Sequence, residues 1–367
     1  MNHELSNLAA QVRALIRSSP AESSPVFSES AFDALALSLF RAQMAQNAAY
    51  RAICLARGIA AESVTHWRQI PAVPARAFKE LELTALAPED RTMAFWSSGT
   101  TGEVRSQHFH SGESVALYEE SLWAWFHSQV LAGRPLLRPV ALTPSPASAP
   151  NSSLGHMFGE ISRRLGCGHA NSFAGTVGAD GAWEVDLEIL QGLVRPAIAR
   201  SEPLLLFGTA FNWVHLLDVL AASGTHLRLP AGSVVLETGG YKGRSRELSR
   251  RELHAALVAT LGVAADHVVT EYGMSELSSQ AYAFPGAGTG RQWFRFPTWA
   301  RAQVVSPDHG REVSDGAVGV LRILDLANVW SVCALQTEDL AVRHGDAFEL
   351  LGRVPAAEPR GCSRMTA

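Results

Sequence analysis

Residues 96–106 read WSSGTTGEVRS, and this stretch organises the interpretation of the whole chain. Two serines, two threonines and two glycines make up Ser97–Gly102, directly after the apolar Ala94–Trp96. Backbone N–H groups that glycine leaves accessible, together with hydroxyl donors, can surround an anion at low steric cost. The stretch therefore predicts a phosphate-binding loop. A Ser/Thr/Gly cluster is also ordinary turn material, and the loop is not of the Walker type because no lysine follows Gly102.

The composition is that of a globular chain large enough to bury a sizeable core. Its 367 residues are 47% hydrophobic and 18% charged, which disfavours an intrinsically disordered protein. The net charge of −4, without a basic block, gives no reason to expect nucleic acid as a partner. The four cysteines lie far apart and form no C-x-x-C pair, so neither a disulfide framework nor a zinc site is indicated.

The N-terminus lacks the basic and apolar regions of a signal peptide. Its apolar positions share one helical face and predict a docking helix, namely Leu5, Leu8, Val12, Leu15 and Ile16. The most apolar long run, residues 203–223, includes an asparagine, a histidine and an aspartate, and is too polar for a membrane span. We therefore expect a cytoplasmic protein that does not span a membrane.

Short apolar runs alternate with helical patterns along the middle of the chain. Residues 28–82 predict helices, with Ser30 as an N-cap. Strands are predicted at 139–142, 204–207, 233–236 and 267–269, and helices at 113–130, 154–165 and 246–261, a pattern typical of an α/β core with parallel strands. Strand-like stretches at 302–305, 318–323 and 348–351 predict a more β-rich part. The Pro/Ser-rich Thr143–Ser153 is typical of an active-site loop.

Two stretches that follow predicted strands carry residues suited to nucleotide binding. The glycines of Glu237–Gly243 would let a flat ligand or a phosphate approach the backbone closely. In the next stretch, Tyr272 offers a face for a base, and Glu276 is a hard oxygen ligand suited to Mg²⁺. An ordinary turn explains the glycines of the first stretch equally well. A surface turn with a solvated glutamate explains the second stretch.

Two further stretches lie near the end of the chain. In Thr337–Leu340, Asp339 is placed to accept from both hydroxyls of a ribose, and Arg353 to contact a ribose or phosphate oxygen. In the tail, Cys362 stands between glycine and serine near Arg360, and a neighbouring cation favours the nucleophilic thiolate. A surface ion pair and an incidental terminal cysteine are the ordinary alternatives.

The order of these stretches resembles that of the adenylate-forming enzymes, in which they bind ATP and form acyl-AMP. More closely, the chain is similar to the bacterial acyl-protein synthetase (LuxE-like) family. The resemblance runs over nearly the full length and includes further short stretches, namely Ala49–Arg51, Cys54, Phe78–Lys79, Ser279–Gln280, Asp325–Asn328 and Arg360–Ser363.

The resemblance implies an α/β fold with an adenylate-forming-enzyme-like N-terminal core of mixed sheets and helices and a β-rich C-terminal part. It implies an acyl-adenylating domain over residues 1–353, with a helical part at 1–90, and a short tail over 354–367. The usual C-terminal lid domain and its lysine are expected to be missing, since only fourteen residues follow Arg353 and none is lysine. Lys242, Lys79 and Arg105 are candidates for the replacing cation.

The resemblance also assigns site residues. The phosphate loop would be formed by Ser97, Ser98, Gly99, Thr100, Thr101 and Gly102. The adenine side would be lined by Gly239, Gly240, Tyr272 and Gly273. Glu276 would hold Mg²⁺, Asp339 the ribose, and Arg353 the ribose or the phosphates. Lys242 and Glu276 would assist the chemistry, and Cys362 would accept the acyl group.

The implied function is ATP-dependent activation of a carboxylic acid, with a long-chain fatty acid as the family's expectation. The acyl group would pass from acyl-AMP to Cys362 as a thioester and then to a partner acyl reductase. Two alternatives stay open: a ligase that delivers the acyl group to coenzyme A or a carrier protein, and a non-catalytic nucleotide-binding subunit of a reductase complex. Phe207–Trp213 is either a wall of the acyl pocket or core.

Overall fold

A five-stranded sheet with helices on both faces forms the centre of the molecule. The computed structural model describes residues 3–18, 28–97, 104–168, 172–178, 181–239, 246, 248–283 and 292–354. The sheet has the order β10-β9-β8-β7-β4, with four parallel strands and an antiparallel β10 at one edge. Its strands are β4 (Arg138–Ala141), β7 (Leu204–Thr209), β8 (Val234–Thr238), β9 (Val268–Tyr272) and β10 (Ala281–Ala283).

Helices cover both faces of this sheet because successive strand residues point to opposite sides. In β8, Val234 and Leu236 pack in the cluster that contains α4 and α5, whereas Val235 packs in the cluster on the other face. The helices of the first face are α4 (Gly112–Phe126) and α5 (Ser153–Arg164), and those of the second are α6 (Leu187–Ala199), α7 (Ala210–Ser223) and α8 (Arg250–Leu261). Burial on both faces explains the continuous apolar strands.

A second sheet packs against the N-terminal helices in one hydrophobic cluster. Its strands are β11 (Ala300–Val305), β12 (Val318–Asp325), β13 (Ala334–His344) and β14 (Ala347–Arg353), with the short β1 (Val73–Pro74) parallel to β13. The helices are α1 (His3–Ser18), α2 (Glu29–Gln46) and α3 (Ala48–Ala56). The predicted docking helix is confirmed, since the apolar face of α1 is buried in this cluster.

Two antiparallel hairpins complete the described strands. One pairs β2 (Met93–Trp96) with β3 (Gln107–His110), so that the Ser/Thr/Gly stretch connects its two strands. The other pairs β5 (Gly175–Val177) with β6 (Trp183–Val185). In the described part of the chain, no helix combines the length and hydropathy needed to cross a bilayer.

The alternation predicted for residues 139–261 is confirmed, but the N-terminal part differs in detail. The cap of α2 is Ser28, whose hydroxyl accepts from the Ala31 N–H, and Ser30 lies within the first helical turn. Regular helix ends at Ala56, and residues 57–90 form short 3₁₀ turns around β1. Pro71 and Pro74 lie in this segment, and neither supplies the N–H that a helix interior needs.

The sequence did not predict β13, the longest strand of the described chain. Its sequence ALQTEDLAVRH is partly exposed and carries charges, so it lacks the apolar run that marks the central strands. It becomes a strand because β12 and β14 pair with its two edges. As a result, Asp339 lies on a strand of this sheet.

Candidate active site

Ser97 and Ser106 close the base of the Ser/Thr/Gly stretch. The Ser97 N–H donates to the Ser106 carbonyl at 3.1 Å, and the Ser106 N–H donates to the Ser97 hydroxyl oxygen at 2.9 Å. These bonds extend the β2–β3 ladder by one step and bring the two ends of the predicted phosphate loop together. Ser97, which was predicted to line the phosphate loop, is thereby placed at its base.

The base of this loop contacts Glu276 directly. The Ser106 hydroxyl donates to Glu276 Oε1, and both residues are buried. Next to this contact, His108 Nδ1 donates to the Ser275 carbonyl at 2.8 Å. Burial lowers the pKa of His108 to about 4, so its ring is neutral near pH 7 and keeps one donor nitrogen. The β2–β3 hairpin and residues 273–276, which are far apart in sequence, are thus joined at the predicted metal ligand.

The electrostatics around Glu276 favour a bound cation. Burial raises the pKa of the Glu276 carboxyl above its ordinary value, and the Ser106 bond and the charges of Lys79 and Arg353 partly oppose this. A carboxylate that is short of compensating charge gains from an arriving cation. Of the three candidate cations, Lys79 is therefore one that acts on Glu276, at the end of the 3₁₀ turn Ala75–Lys79.

Tyr272, Asp339 and Arg353 form a second group at the same edge. The Tyr272 hydroxyl donates to Asp339 Oδ2 at 2.7 Å, and Arg353 Nε lies 3.8 Å from Asp339 Oδ1. Burial raises the pKa of Asp339, while Tyr272 and Arg353 oppose the rise. The Arg353 side chain is 83% exposed, so it can turn toward a ligand at little cost.

The ring of Tyr272 is held by three phenylalanines rather than lying free. Phe294, Phe296 and Phe348 approach it edge-on, with centroids 5.7–6.3 Å away. These contacts fix the plane of the ring and the direction of its hydroxyl. The sequence predicted Tyr272 as a surface for a base, and the structure adds that its hydroxyl already binds the predicted ribose ligand, Asp339.

Gly239 and Gly273 meet different requirements. Gly239 follows β8 with φ +69°, a left-handed conformation that favours glycine, and a Cβ there would meet open space. At Gly273, a Cβ would lie 2.4 Å from Glu271 Oε1, so the absence of a side chain makes room for that carboxyl. Both glycines follow the carboxyl ends of parallel strands, where ligands bind in open α/β sheets.

A buried polar hub fixes the segment that carries Glu276. Asp325 accepts from the Ser278 N–H at 2.9 Å and the Ser279 hydroxyl at 2.8 Å. Asn328 Nδ2 donates to the Glu276 carbonyl at 2.8 Å, and Gln43 Nε2 of α2 donates to the Asn328 carbonyl, also at 2.8 Å. The sequence marked Asp325–Asn328 only through the family resemblance. Their part in holding the site depends on contacts between residues some fifty positions apart.

Several predicted site residues lie outside the described residues, namely Ser98, Gly99, Thr100, Thr101, Gly102, Gly240, Lys242 and Cys362. The described cysteines, Cys54, Cys167 and Cys333, are free thiols. Among the described residues, no group of three or more His, Cys, Asp or Glu side chains is arranged to hold a metal. Proteins bind Mg²⁺ through one or two carboxylates together with phosphate and water oxygens, so the prediction that Glu276 is a metal ligand does not require such a group.

Two further stretches predicted near the site have different environments. In Thr143–Ser153, Asn151 pairs with β2, since its carbonyl accepts from the Trp96 N–H at 2.9 Å and its Nδ2 donates to the Ala94 carbonyl at 3.0 Å. The Pro/Ser-rich segment therefore lies beside β2, the strand that precedes the predicted phosphate loop. In Phe207–Trp213, Phe207 is fully buried in the core and Trp213 Nε1 donates to the Leu236 carbonyl, so the core interpretation applies.

The family model described as "Acyl-protein synthetase, LuxE" matches residues 2–367. A solved 2-hydroxyisobutyryl-CoA ligase in the postadenylation state, in complex with 2-HIB-AMP, superimposes with a TM-score of 0.64 at 12% identity, over 92% of this chain and 73% of that chain. A solved open conformation of a 2-hydroxyisobutyryl-CoA ligase, in complex with 2-HIB-AMP and CoA, superimposes with a TM-score of 0.63 at 13% identity, over 92% of this chain and 75% of that chain. No curated protein sequence matches this chain. These likenesses confirm the predicted fold, an α/β core like that of adenylate-forming enzymes.

Proposed function

The chain belongs to the LuxE acyl-protein synthetase family, and on this premise we propose that it is an ATP-dependent ligase that converts a carboxylic acid to an acyl-adenylate and then to a thioester on Cys362. The bond from the Ser106 hydroxyl to Glu276 carries the proposal. It joins the base of the predicted phosphate loop to a buried carboxylate. A nucleoside triphosphate and its Mg²⁺ require these two features side by side.

Adenylation solves the leaving-group problem of a carboxylic acid. A carboxylate does not expel oxide near pH 7, so one of its oxygens attacks the α-phosphorus of ATP and pyrophosphate leaves. The product, acyl-AMP, has AMP as a good leaving group. Mg²⁺ held by Glu276 would neutralise charge on the phosphates. Lys79, whose charge already acts on Glu276, is the candidate cation that the described structure supports for this edge.

The nucleoside is assigned to the Tyr272–Asp339 pair. Asp339 lies next to Tyr272 with one carboxylate oxygen bound to the tyrosine hydroxyl, and its other oxygen faces Arg353. A carboxylate accepts strongly from two vicinal hydroxyls, which suits a ribose. Arg353 is exposed and can move from Asp339 to an oxygen of the nucleotide. Gly239 leaves open space at the end of β8 for the base.

The tail is long enough to bring Cys362 to this edge. Val354 is anchored, since its N–H donates to the Glu338 carbonyl at 2.8 Å. Eight peptide units separate Val354 from Cys362, and an extended chain of that length spans at most about 28 Å. The Cys362 thiolate attacks the acyl carbon, the C–O bond to AMP breaks, and a thioester forms. We expect a protein partner with its own acyl acceptor, an acyl reductase, to receive the group.

The experiment compares Cys362→Ser with Cys167→Ser, a matched loss of a free thiol. We expect both variants to retain acid-dependent exchange of pyrophosphate into ATP, and only Cys362→Ser to lose the thiol-labile acyl label on the protein. A full label on Cys362→Ser would contradict the cysteine relay and favour transfer to coenzyme A or a carrier protein. Failure of every acid to promote exchange would contradict adenylation and favour a non-catalytic subunit.

A further inference from the structure

The face of the central sheet toward α4 changes character along its strands. Its deeper part is apolar, with residues such as Leu236 and Val269 in the core. At the carboxyl edge the same face carries Thr238 of β8 and Glu271 of β9, which are bonded to each other through the Thr238 hydroxyl. Tyr282 of β10 lies directly opposite Glu271 in the strand register, so the two side chains share this face.

Further polar side chains border the same edge, and together they form what we term the polar edge cluster: His110, Tyr118, Thr238, Glu271, Gln280 and Tyr282. Burial, and next to it the neighbouring Glu271, raise the pKa of both Tyr118, on α4, and Tyr282, so both hydroxyls stay protonated near pH 7. The ring centroid of Tyr118 lies 6.3 Å from that of His110. All six side chains are buried in the protein.

Three atoms of the cluster have no hydrogen-bond partner within the described part of the chain: the Tyr282 hydroxyl, Gln280 Oε1 and His110 Nε2. Their residues are only 3%, 5% and 1% exposed, respectively. Buried polar atoms are nearly always paired, so three in one region call for a partner. The Cβ position at Gly273 lies 2.4 Å from Glu271 Oε1 and 3.6 Å from Gln280 Cγ, which places these two side chains around one point.

The cluster offers both donors and acceptors. The Ser114 hydroxyl donates to the Ser111 carbonyl at 3.1 Å, so it must accept from His110 Nδ1, 3.2 Å away. Burial keeps the pKa of His110 well below its ordinary value, which makes Nε2 of the neutral ring an acceptor. Gln280 Oε1 is a second acceptor, and the Tyr282 hydroxyl can donate. A hydroxyl or an amide group satisfies such a set, whereas an alkyl chain satisfies none of it.

Large rings fill the space behind the cluster. The Phe126 ring lies 6.0 Å from Tyr282, and Phe158 stacks on Phe207 at 4.7 Å. These phenylalanines are fully buried. Interiors are close-packed, so a long unbranched acyl chain that followed this face inward would have to displace them.

The cluster adjoins the adenylation groups. Glu271 precedes Tyr272 on β9, and the strand that ends with His110 includes His108, which binds the Ser275 carbonyl beside Glu276. We propose that the polar edge cluster binds a hydrogen-bonding substituent on the body of the substrate acid. The substrate is then a short or medium-length acid that carries a hydroxyl or amide group, not an unsubstituted long-chain fatty acid. The inference rests on the proposed function and names the substrate class for the same site.

The test uses the full chain and pairs of acids that differ by one polar group: octanoic acid and its ω-hydroxy derivative, phenylpropanoic acid and its para-hydroxy derivative, and hexanoic acid and its terminal amide-bearing analogue. Acid-dependent pyrophosphate release gives kcat/KM for each. We expect at least one substituted acid to exceed its parent by about tenfold or more, since a site built for a polar group discriminates against the analogue that lacks it.

Variants locate the origin of this preference. Tyr282→Phe, and independently Gln280→Met, should lower the ratio of substituted to parent kcat/KM about tenfold. Tyr50→Phe is the matched control, because its buried hydroxyl donates to the Pro71 carbonyl in the N-terminal helices, and it should keep the wild-type ratio. Parent acids that equal or exceed their derivatives, or a ratio unchanged in both variants, would overturn the inference and leave adenylation standing. Absence of release with every acid would overturn both.

Discussion

Asn328 provides a sharp test of how the segment that carries Glu276 is held. The side chain is 2% exposed. Its Nδ2 donates to the carbonyls of Glu276 and Val332 at 2.8 and 2.9 Å, and its Oδ1 accepts from the Ser278 hydroxyl at 3.1 Å. Asn328→Ala removes three bonds, each worth about 1 kcal/mol net. We therefore expect the free energy of unfolding to fall by about 3 kcal/mol.

Asn328→Asp is nearly isosteric and should be worse. It puts a carboxylate oxygen where the amide nitrogen now faces two carbonyl oxygens. It also buries an uncompensated charge, which costs about 3–5 kcal/mol. The free energies come from urea unfolding followed by tryptophan fluorescence. Asn7→Ala, at an exposed position of α1, is the control and should change stability by less than about 1 kcal/mol. An aspartate variant as stable as the alanine variant would refute the assigned bonding.

Three further predictions concern individual carboxylates. Burial raises the pKa of Glu271 from 4.5 to about 7, so the unfolded chain loses this proton first as pH rises, and stability should fall by about 3 kcal/mol between pH 4.5 and about 7. Glu271→Gln should remove that slope in urea unfolding, and an unchanged slope would contradict it. Glu276→Gln should abolish acid-dependent pyrophosphate exchange without lowering the urea midpoint, and retained exchange would exclude Glu276 as the metal ligand. Asp339→Asn should raise the KM for ATP about tenfold, and an unchanged KM would remove Asp339 from the nucleoside site.

The central sheet could be predicted from sequence because its strands are buried on both faces. Val234–Leu236 and Leu204–Phe207 are apolar runs that no other local structure explains as well. β13 could not be predicted in this way, since it gains its pairing from β12 and β14 and most of its side chains are only partly buried. Local pattern therefore predicted the central sheet and parts of β11, β12 and β14, whereas β13 depends on long-range pairing.

The site shows the same division. Glu276, Tyr272 and Asp339 were chosen because their chemistry suits Mg²⁺, a base and a ribose, and the structure brings the last two into contact. Ser106 was overlooked although it ends the quoted stretch, because its role depends on the register of the β2–β3 hairpin. The polar edge cluster gave no sequence pattern, since its members come from α4, from the four strands β3, β8, β9 and β10, and from the chain just before β10.

The most direct test of the account is exchange of labelled pyrophosphate into ATP by the purified full-length protein, with Mg²⁺ and with each acid of the substituted and unsubstituted pairs. The account predicts exchange that depends on an acid and persists in Cys362→Ser, because acyl-adenylate forms before the thioester. If ATP binds but no acid promotes exchange, the loop after Trp96 and Glu276 do not form an adenylation site.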